Sequence, residues 1–276
     1  MNKQEALKRI DEINSLLLKA SEAYYNEDKE IMSNFEYDAL YDELKSLEDE
    51  FSIKAKESVT ENVGFKAADF LPKVRHEKPM LSLDKTKDRA VLKEFLGDKL
   101  GVLSYKLDGL TIVLTYDNGK FVSGVTRGNG EIGEDISNNI PAFTNVPQKI
   151  DYKGRMVLRG EAIITYSDFE KINEEITEGF EKYKNPRNLC SGSVRQLDPN
   201  ITKKRNVKLI IFSLVEIDDK KYMKSYLSQM DFLSKLGFDV VLHKKVDSKN
   251  LDTTIDWFAE DVVTSDYPSD GLVLIY

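Results

Sequence analysis

Histidine, cysteine and tryptophan are nearly missing from this 276-residue sequence, which holds two His, one Cys and one Trp. The lone Cys190 excludes an internal disulfide, and there is no Cys-x-x-Cys pair. With only His76 and His243 beside it, too few ligands exist for a structural zinc site, and no metal-ligating residue is assigned. Long apolar runs are missing as well: none approaches the ~20 residues that cross a bilayer. The start, Met1-Asn2-Lys3-Gln4-Glu5, lacks the apolar stretch of a signal peptide. These absences predict a cytoplasmic, reduced chain with no membrane partner.

What is present is an ordinary globular balance, 41% hydrophobic and 32% charged, in a chain long enough to bury a sizeable core without disulfides. The net charge of −8 is unevenly spread. Residues 1–60 carry 8 basic and 15 acidic side chains, and the remaining 216 residues are nearly neutral. Within them, residues 182–208 hold eight basic residues against one acidic residue, Asp198. Such a stretch suits phosphate backbones, although on charge alone a solvated loop with snorkelling lysines is the better account.

Leu7, Ile10, Ile13, Leu17, Ala20 and Tyr24 recur at spacings of three and four, which predicts an amphipathic helix over 3–24. Ser33-Asn34-Phe35-Glu36 fits a capping box, and Leu40, Leu44, Leu47 and Phe51 line a second helix. Polar, aperiodic residues 56–78 place a domain boundary near 60–70. From Val102 the texture turns to strands. Runs 110–116 and 120–126 flank Asn118-Gly119, a hairpin turn in which both central residues need positive φ. Further strands are predicted at 156–164, 208–215, 238–242 and 271–276, and helices at 168–177, 225–236 and 251–260. The last strand runs to the final residue with no cap after it, which predicts a fragment boundary there.

Lys106, in Lys106-Leu107-Asp108-Gly109, sits at a strand end. A lysine amine attacks phosphorus only when unprotonated, and burial with nearby cations favours that form. Asp108 falls on the same side under strand alternation, and Gly109 leaves room for close approach of a ligand. Four residues alone are weak grounds. Behind them, in order, stand Thr126-Arg127-Gly128, Arg159-Gly160-Glu161, Asn185-Pro186-Arg187-Asn188, Gly192-Ser193-Val194-Arg195-Gln196 and Ser269-Asp270-Gly271. Each could be a turn or a surface strand; all five in this order are hard to explain so.

The series resembles the nucleotidyltransferase motifs of NAD-dependent DNA ligases, from about residue 5 to the end. The resemblance implies that Lys106 takes AMP from NAD, that Arg127 contacts the ribose and phosphate region, and that Glu161 contacts the ribose or a metal-bound water. Asp108 would join them. Pro79-Met80-Leu81-Ser82-Leu83-Asp84 is similar to the segment lying along the adenine, which points to Ser82 and Leu83. Arg187 and Arg195 match arginines acting around nicked DNA, which moves the basic stretch 182–208 to that role. Tyr24-Tyr25 and Asn34-Phe35-Glu36-Tyr37-Asp38 resemble the cap that grips the nicotinamide mononucleotide half of NAD. Tyrosine offers an aromatic face to the cationic nicotinamide ring. Tyr37 and Tyr41 also fit plain helix-face packing.

The expected fold is therefore α+β: a helical cap over residues 1–65, then an ATP-grasp-like nucleotidyltransferase domain of the DNA ligase and mRNA-capping type over 70–276, with antiparallel sheets and a truncated C-terminal end. The expected activity is self-adenylation of Lys106 by NAD with Mg2+, the first step of sealing nicked double-stranded DNA, in a monomer. The family continues with a further lysine motif, an oligonucleotide-binding barrel, a zinc module and helix-hairpin-helix repeats, so this sequence is not expected to seal nicks efficiently by itself. Four positions depart from the family pattern. Ser104 stands where a glutamate reads the adenine amino group, Asn34 opens the cap motif in place of aspartate, and Ile275 replaces a lysine that helps hold the α-phosphate. Leu214 stands where a stacking aromatic is expected. Two alternatives follow: a divergent or inactive nucleotide- or DNA-binding paralogue, and an ATP- or GTP-using nucleotidyltransferase, against which the cap argues.

Overall fold

A computed structural model describes residues 3–26, 31–32, 34–55, 58–60, 71–80, 83–176 and 182–276. In chain order the elements are α1 (Lys3–Asn26), α2 (Asn34–Phe51), β1 (Lys73–Arg75), α3 (Arg89–Leu96), β2 (Gly101–Leu107), β3 (Leu110–Asp117), β4 (Lys120–Thr126), β5 (Ile132–Glu134), β6 (Met156–Ile163), α4 (Tyr166–Glu175), α5 (Pro186–Val194), α6 (Pro199–Lys204), β7 (Lys208–Ile217), α7 (Tyr226–Lys235), β8 (His243–Val246), α8 (Leu251–Asp261) and β9 (Ser269–Ile275). They form two compact units: residues 1–82 with 127–134, and residues 83–126 with 135–276.

In the first unit, α1 and α2 pack along the stripe foreseen from their spacing. Ile10, Ile13, Leu17, Leu44 and Leu47 meet with Ala55 and Val59, and Tyr37 and Tyr41 pack against that cluster. The guanidinium of Arg9 clasps Glu43 through Nε (2.7 Å) and Nη2 (2.9 Å). Glu48 is buried at the end of the hairpin. It accepts hydrogen bonds from Ala55 N (3.2 Å), Ser58 Oγ (2.6 Å), Thr60 Oγ1 (2.5 Å) and Lys54 Nζ (2.9 Å). Burial pushes this carboxyl up, and the four hydrogen bonds outweigh that and hold it below the usual range. A two-stranded ladder, β1 with β5, completes the unit's regular structure. Ser33, the foreseen N-cap of α2, lies outside the described residues.

The second unit is built on two antiparallel sheets, one in the order β4-β3-β6-β7 and one in the order β8-β2-β9. The β3–β4 hairpin turns at Asn118 (φ 47°) and Gly119 (φ 76°), as the Asn-Gly pair requires. One face of β2 carries Leu103, Tyr105 and Leu107 into a core with Leu96, Ile163, Ile210, Val246, Leu251 and Phe258, which leaves Ser104 and Lys106 on the other face. The strand foreseen at 238–242 is not formed. Val240 makes a single bridge to Ile211, and the strand begins at His243 instead. The apolar run was legible, but its residues Phe238 and Val241 serve as core plugs rather than ladder members. Three helices, α3, α5 and α6, were not foreseen. Each opens on an aspartate or asparagine N-cap, Asp88, Asn185 and Asp198, whose side chain accepts a backbone N–H of the first turn.

Candidate functional site

Lys106 owes its setting to an irregularity. β2 and β9 pair Lys106 with Gly271 and Leu107 with Ser269, so Asp270 is an extra residue in β9 at a bulge. Bulges re-aim side chains: here the Lys106 ammonium donates to both carboxylate oxygens of Asp270, each at 2.7 Å. Two further bonds fix the junction, Ser269 Oγ to Lys106 O (3.0 Å) and Asp108 N to Pro268 O (2.9 Å).

Around this pair the chain gathers a second pair and a buried acid. The N-terminal turn of α5 delivers Arg187, whose Nη1 donates to Asp108 Oδ1 at 2.8 Å. β6 delivers Glu161, only 8% exposed, which accepts from Gly109 N (3.2 Å) and Thr111 Oγ1 (2.8 Å). Burial raises the Glu161 carboxyl to about 7; the Arg187 charge, the Thr111 hydrogen bond and the Lys106 charge only partly offset it. Gly109 is required by a close backbone approach. A Cβ there would stand 2.0 Å from the Ala162 carbonyl oxygen, so the missing side chain lets β6 pass close beside the lysine motif.

The remaining expected residues fall in several places. Ser104, 5% exposed, shares the face of Lys106. Arg195, the C-cap residue of α5, turns back to Ser191 Oγ and O. Arg127 belongs to the first unit, where Nη2 donates to Met80 O (3.4 Å) and Nε is buried with no partner among the described residues. Leu83 is 61% exposed, and Ser82 lies outside the described residues. Glu36 is exposed on α2 and Tyr37 packs on the helical hairpin. The side chains of Tyr24, Tyr25, Asn34, Phe35 and Asp38 lie outside the described ones.

Leu214 is 3% exposed and pairs with Leu158 inside the four-stranded sheet, so nothing can stack on it. The half-buried aromatic of that strand is Phe212, the extra residue at a second bulge, packed against the core behind Lys106. Ile275 pairs with Val102, which on its other side pairs with the exposed Lys245 of β8. Cross-strand partners project to one face, so Lys245 and Ile275 flank Val102 on the Lys106 face. A cavity of about 320 Å³ lined by Tyr105, Leu107, Val240 and Tyr267 opens on the opposite face and takes no part in this cluster.

A family profile described as NAD-dependent DNA ligase adenylation domain matches residues 67–275, and one described as DNA ligase-like, N-terminal NAD+-binding domain matches residues 3–64. A DNA ligase of Lachnoclostridium phytofermentans is 53% identical over 268 residues, covering 97% of this chain and 41% of that protein. A DNA ligase of Ruminiclostridium cellulolyticum is 56% identical over 261 residues, covering 95% and 40%, and one of Clostridioides difficile is 38% identical over 280 residues, covering 96% and 41%. The chain spans 40–41% of the length of these relatives.

Proposed function

Because the chain belongs to the NAD-dependent DNA ligase adenylation domain family and carries the family's N-terminal NAD+-binding domain, we propose that it adenylates itself on Lys106 with NAD as donor. The observation that carries this reading is the bidentate Lys106–Asp270 pair, set at a bulge beside Arg187, Asp108 and Glu161. The Nζ lone pair attacks the adenylyl phosphorus. A P–N bond forms, the P–O bond of the diphosphate breaks, and nicotinamide mononucleotide leaves with the oxygen. The ammonium first gives up a proton, for which the Asp270 carboxylate that already accepts its hydrogen bonds is the adjacent acceptor.

Glu161 and Asp270 are hard oxygen donors of the kind Mg2+ takes, one or two at a time, together with substrate phosphates and water. They fit that ion, which when bound neutralises diphosphate charge. Tyr24, Tyr25, Tyr37 and Asp38 are proposed for the nicotinamide mononucleotide half, Arg127 for the adenylate, and Arg187, Arg195 and the stretch 182–208 for nicked duplex DNA in the longer protein. Lys245, beside Ile275 across Val102, is proposed to stand in for the lysine absent at Ile275. With DNA as the eventual substrate, the proposed location is the cytoplasm and the proposed state a monomer. Among the described residues, no helix is long and apolar enough to cross a membrane.

Incubation with NAD and Mg2+ should add the mass of one AMP to the chain, and Lys106→Ala should remove that gain. The same gain with ATP but not with NAD would sink the donor assignment.

A further inference from the structure

Strand alternation along β2 sends Tyr105 and Leu107 to the face turned away from Lys106. On that face, within the second unit, opens the cavity of about 320 Å³. Its size is at the low end of the roughly 300–1,000 Å³ that small-molecule sites span. Leu107, Ile210 and Val240 give it apolar walls, and so does Leu242, which is 44% exposed. Two carboxylates, Asp261 and Asp266, and the rings of Tyr105 and Tyr267 also line it. The carboxylates differ in what already satisfies them. Asp266 accepts from Ser167 N (2.8 Å) and Ser167 Oγ (2.6 Å), and the Lys208 ammonium lies 5.8 Å over the neighbouring Tyr267 ring. Burial pushes Asp266 up, and the Ser167 hydrogen bonds with the Lys208 charge outweigh that and hold it below the usual range. Asp261 accepts one side-chain hydrogen bond, from the Tyr105 hydroxyl at 2.6 Å, and has no ion-pair partner among the described residues. It is also the last residue of α8, whose final turn carries no basic side chain, so the negative end of the helix dipole adds to its field.

A carboxylate offers about four acceptor positions, so Asp261 holds an unmatched negative charge beside an apolar hollow. We propose that this cavity binds a small primary amine with an apolar body, its ammonium on Asp261 and its hydrocarbon or aromatic part against Leu107, Ile210 and Val240. The ammonium brings donors and no acceptor, and the Tyr105 and Tyr267 rings offer aromatic faces to the cation. The apolar body removes from water a wall that the fold leaves open. A neutral molecule of the same shape gains the wall and forgoes the charge, and an anion meets two carboxylates. A second ammonium adds little, because Asp266 is already supplied by Ser167 and Lys208. The site lies on the far side of the sheet from Lys106 and is independent of the self-adenylation reading.

The test is titration of the isotopically labelled chain with 2-phenylethylamine, followed by amide NMR. The amides of residues 105–107, 240–242 and 261–267 should shift together, with a Kd on the order of millimolar. The alcohol of the same shape, 2-phenylethanol, should bind at least about tenfold more weakly. Asp261→Asn keeps an acceptor for the Tyr105 hydroxyl and removes the charge; it should bring amine and alcohol to within about twofold of each other. Val240→Phe, which fills the cavity, should abolish the shifts from both. Equal Kd values for amine and alcohol on the wild type, shifts confined to other residues, or no shifts at tens of millimolar amine would each overturn the proposal. So would amine binding that persists unchanged in Val240→Phe. The wild-type comparison of amine with alcohol decides by itself should a variant fail to fold.

Discussion

Glu161→Gln is expected to make the protein more stable at alkaline pH and less able to charge itself. The fold raises this carboxyl from 4.5 to about 7, which at about 1.4 kcal/mol per tenfold disfavours the ionised form by about 3 kcal/mol. The sign follows from proton counting. Between pH 4.5 and 7 the folded chain holds a proton that the unfolded chain has released, so stability falls as pH rises through that window and stays lowered above it. Glutamine is neutral throughout and keeps an acceptor for Gly109 N and a partner for Thr111. Urea titrations of both proteins at pH 4.5 and pH 8 isolate the effect, because all other titrating groups are shared. The variant should match the wild type at pH 4.5 and exceed it by about 3 kcal/mol at pH 8. A gap that is the same at both values would refute the argument that burial of this carboxylate is what the fold opposes. The rate of Lys106 charging should fall in the variant, since the strained acid belongs to the site rather than to the core.

Two further outcomes are expected. Glu48→Ala strands the buried Ala55 N–H and Ser58 hydroxyl. It should cost the helical hairpin about 3 kcal/mol, read as roughly 150-fold faster hydrogen exchange in α1 and α2; in the wild type this contribution is present above the ordinary glutamate range and lost as pH falls through the lowered value. Lys245→Ala should slow charging by about tenfold or more at unchanged thermal stability, by analogy with removing one preorganised donor, and an unchanged rate would show that Lys245 does not replace the lysine absent at Ile275.

The helical hairpin, the β3–β4 turn and the lysine motif were legible because each is local: a period, a dipeptide, a four-residue signature. The setting of Lys106 was less so. Asp270 reads in sequence as part of a turn, and only the bulge turns it onto the ammonium. The resemblance implies a DNA role for Arg187 and says nothing of Asp108, to which the N-terminus of α5 brings it. The N-cap Asn185 and Pro186 were in plain view, yet the helix they open, Pro186–Val194, is rich in Ser, Gly and Asn and has little period to find. Leu214 shows the limit of counting along a strand, since bulges at Phe212 and Val215 shift which residues face the core.

The position of β2 between β8 and β9 has a consequence in time. Both partners of the strand that carries Lys106 come from the far end of the domain, and Lys106 and Asp270 are 164 residues apart in sequence. At synthesis rates of about 5–20 residues per second, roughly 7–30 s pass before β2 can find either neighbour. Contacts of such long range also form late in folding. The earlier hairpin β3–β4 has both of its strands at once, but Lys106 stays on an unpaired strand until nearly the whole domain has left the ribosome. A nascent chain therefore has no assembled Lys106–Asp270 pair, and the same delay leaves an apolar strand open to misplaced pairing.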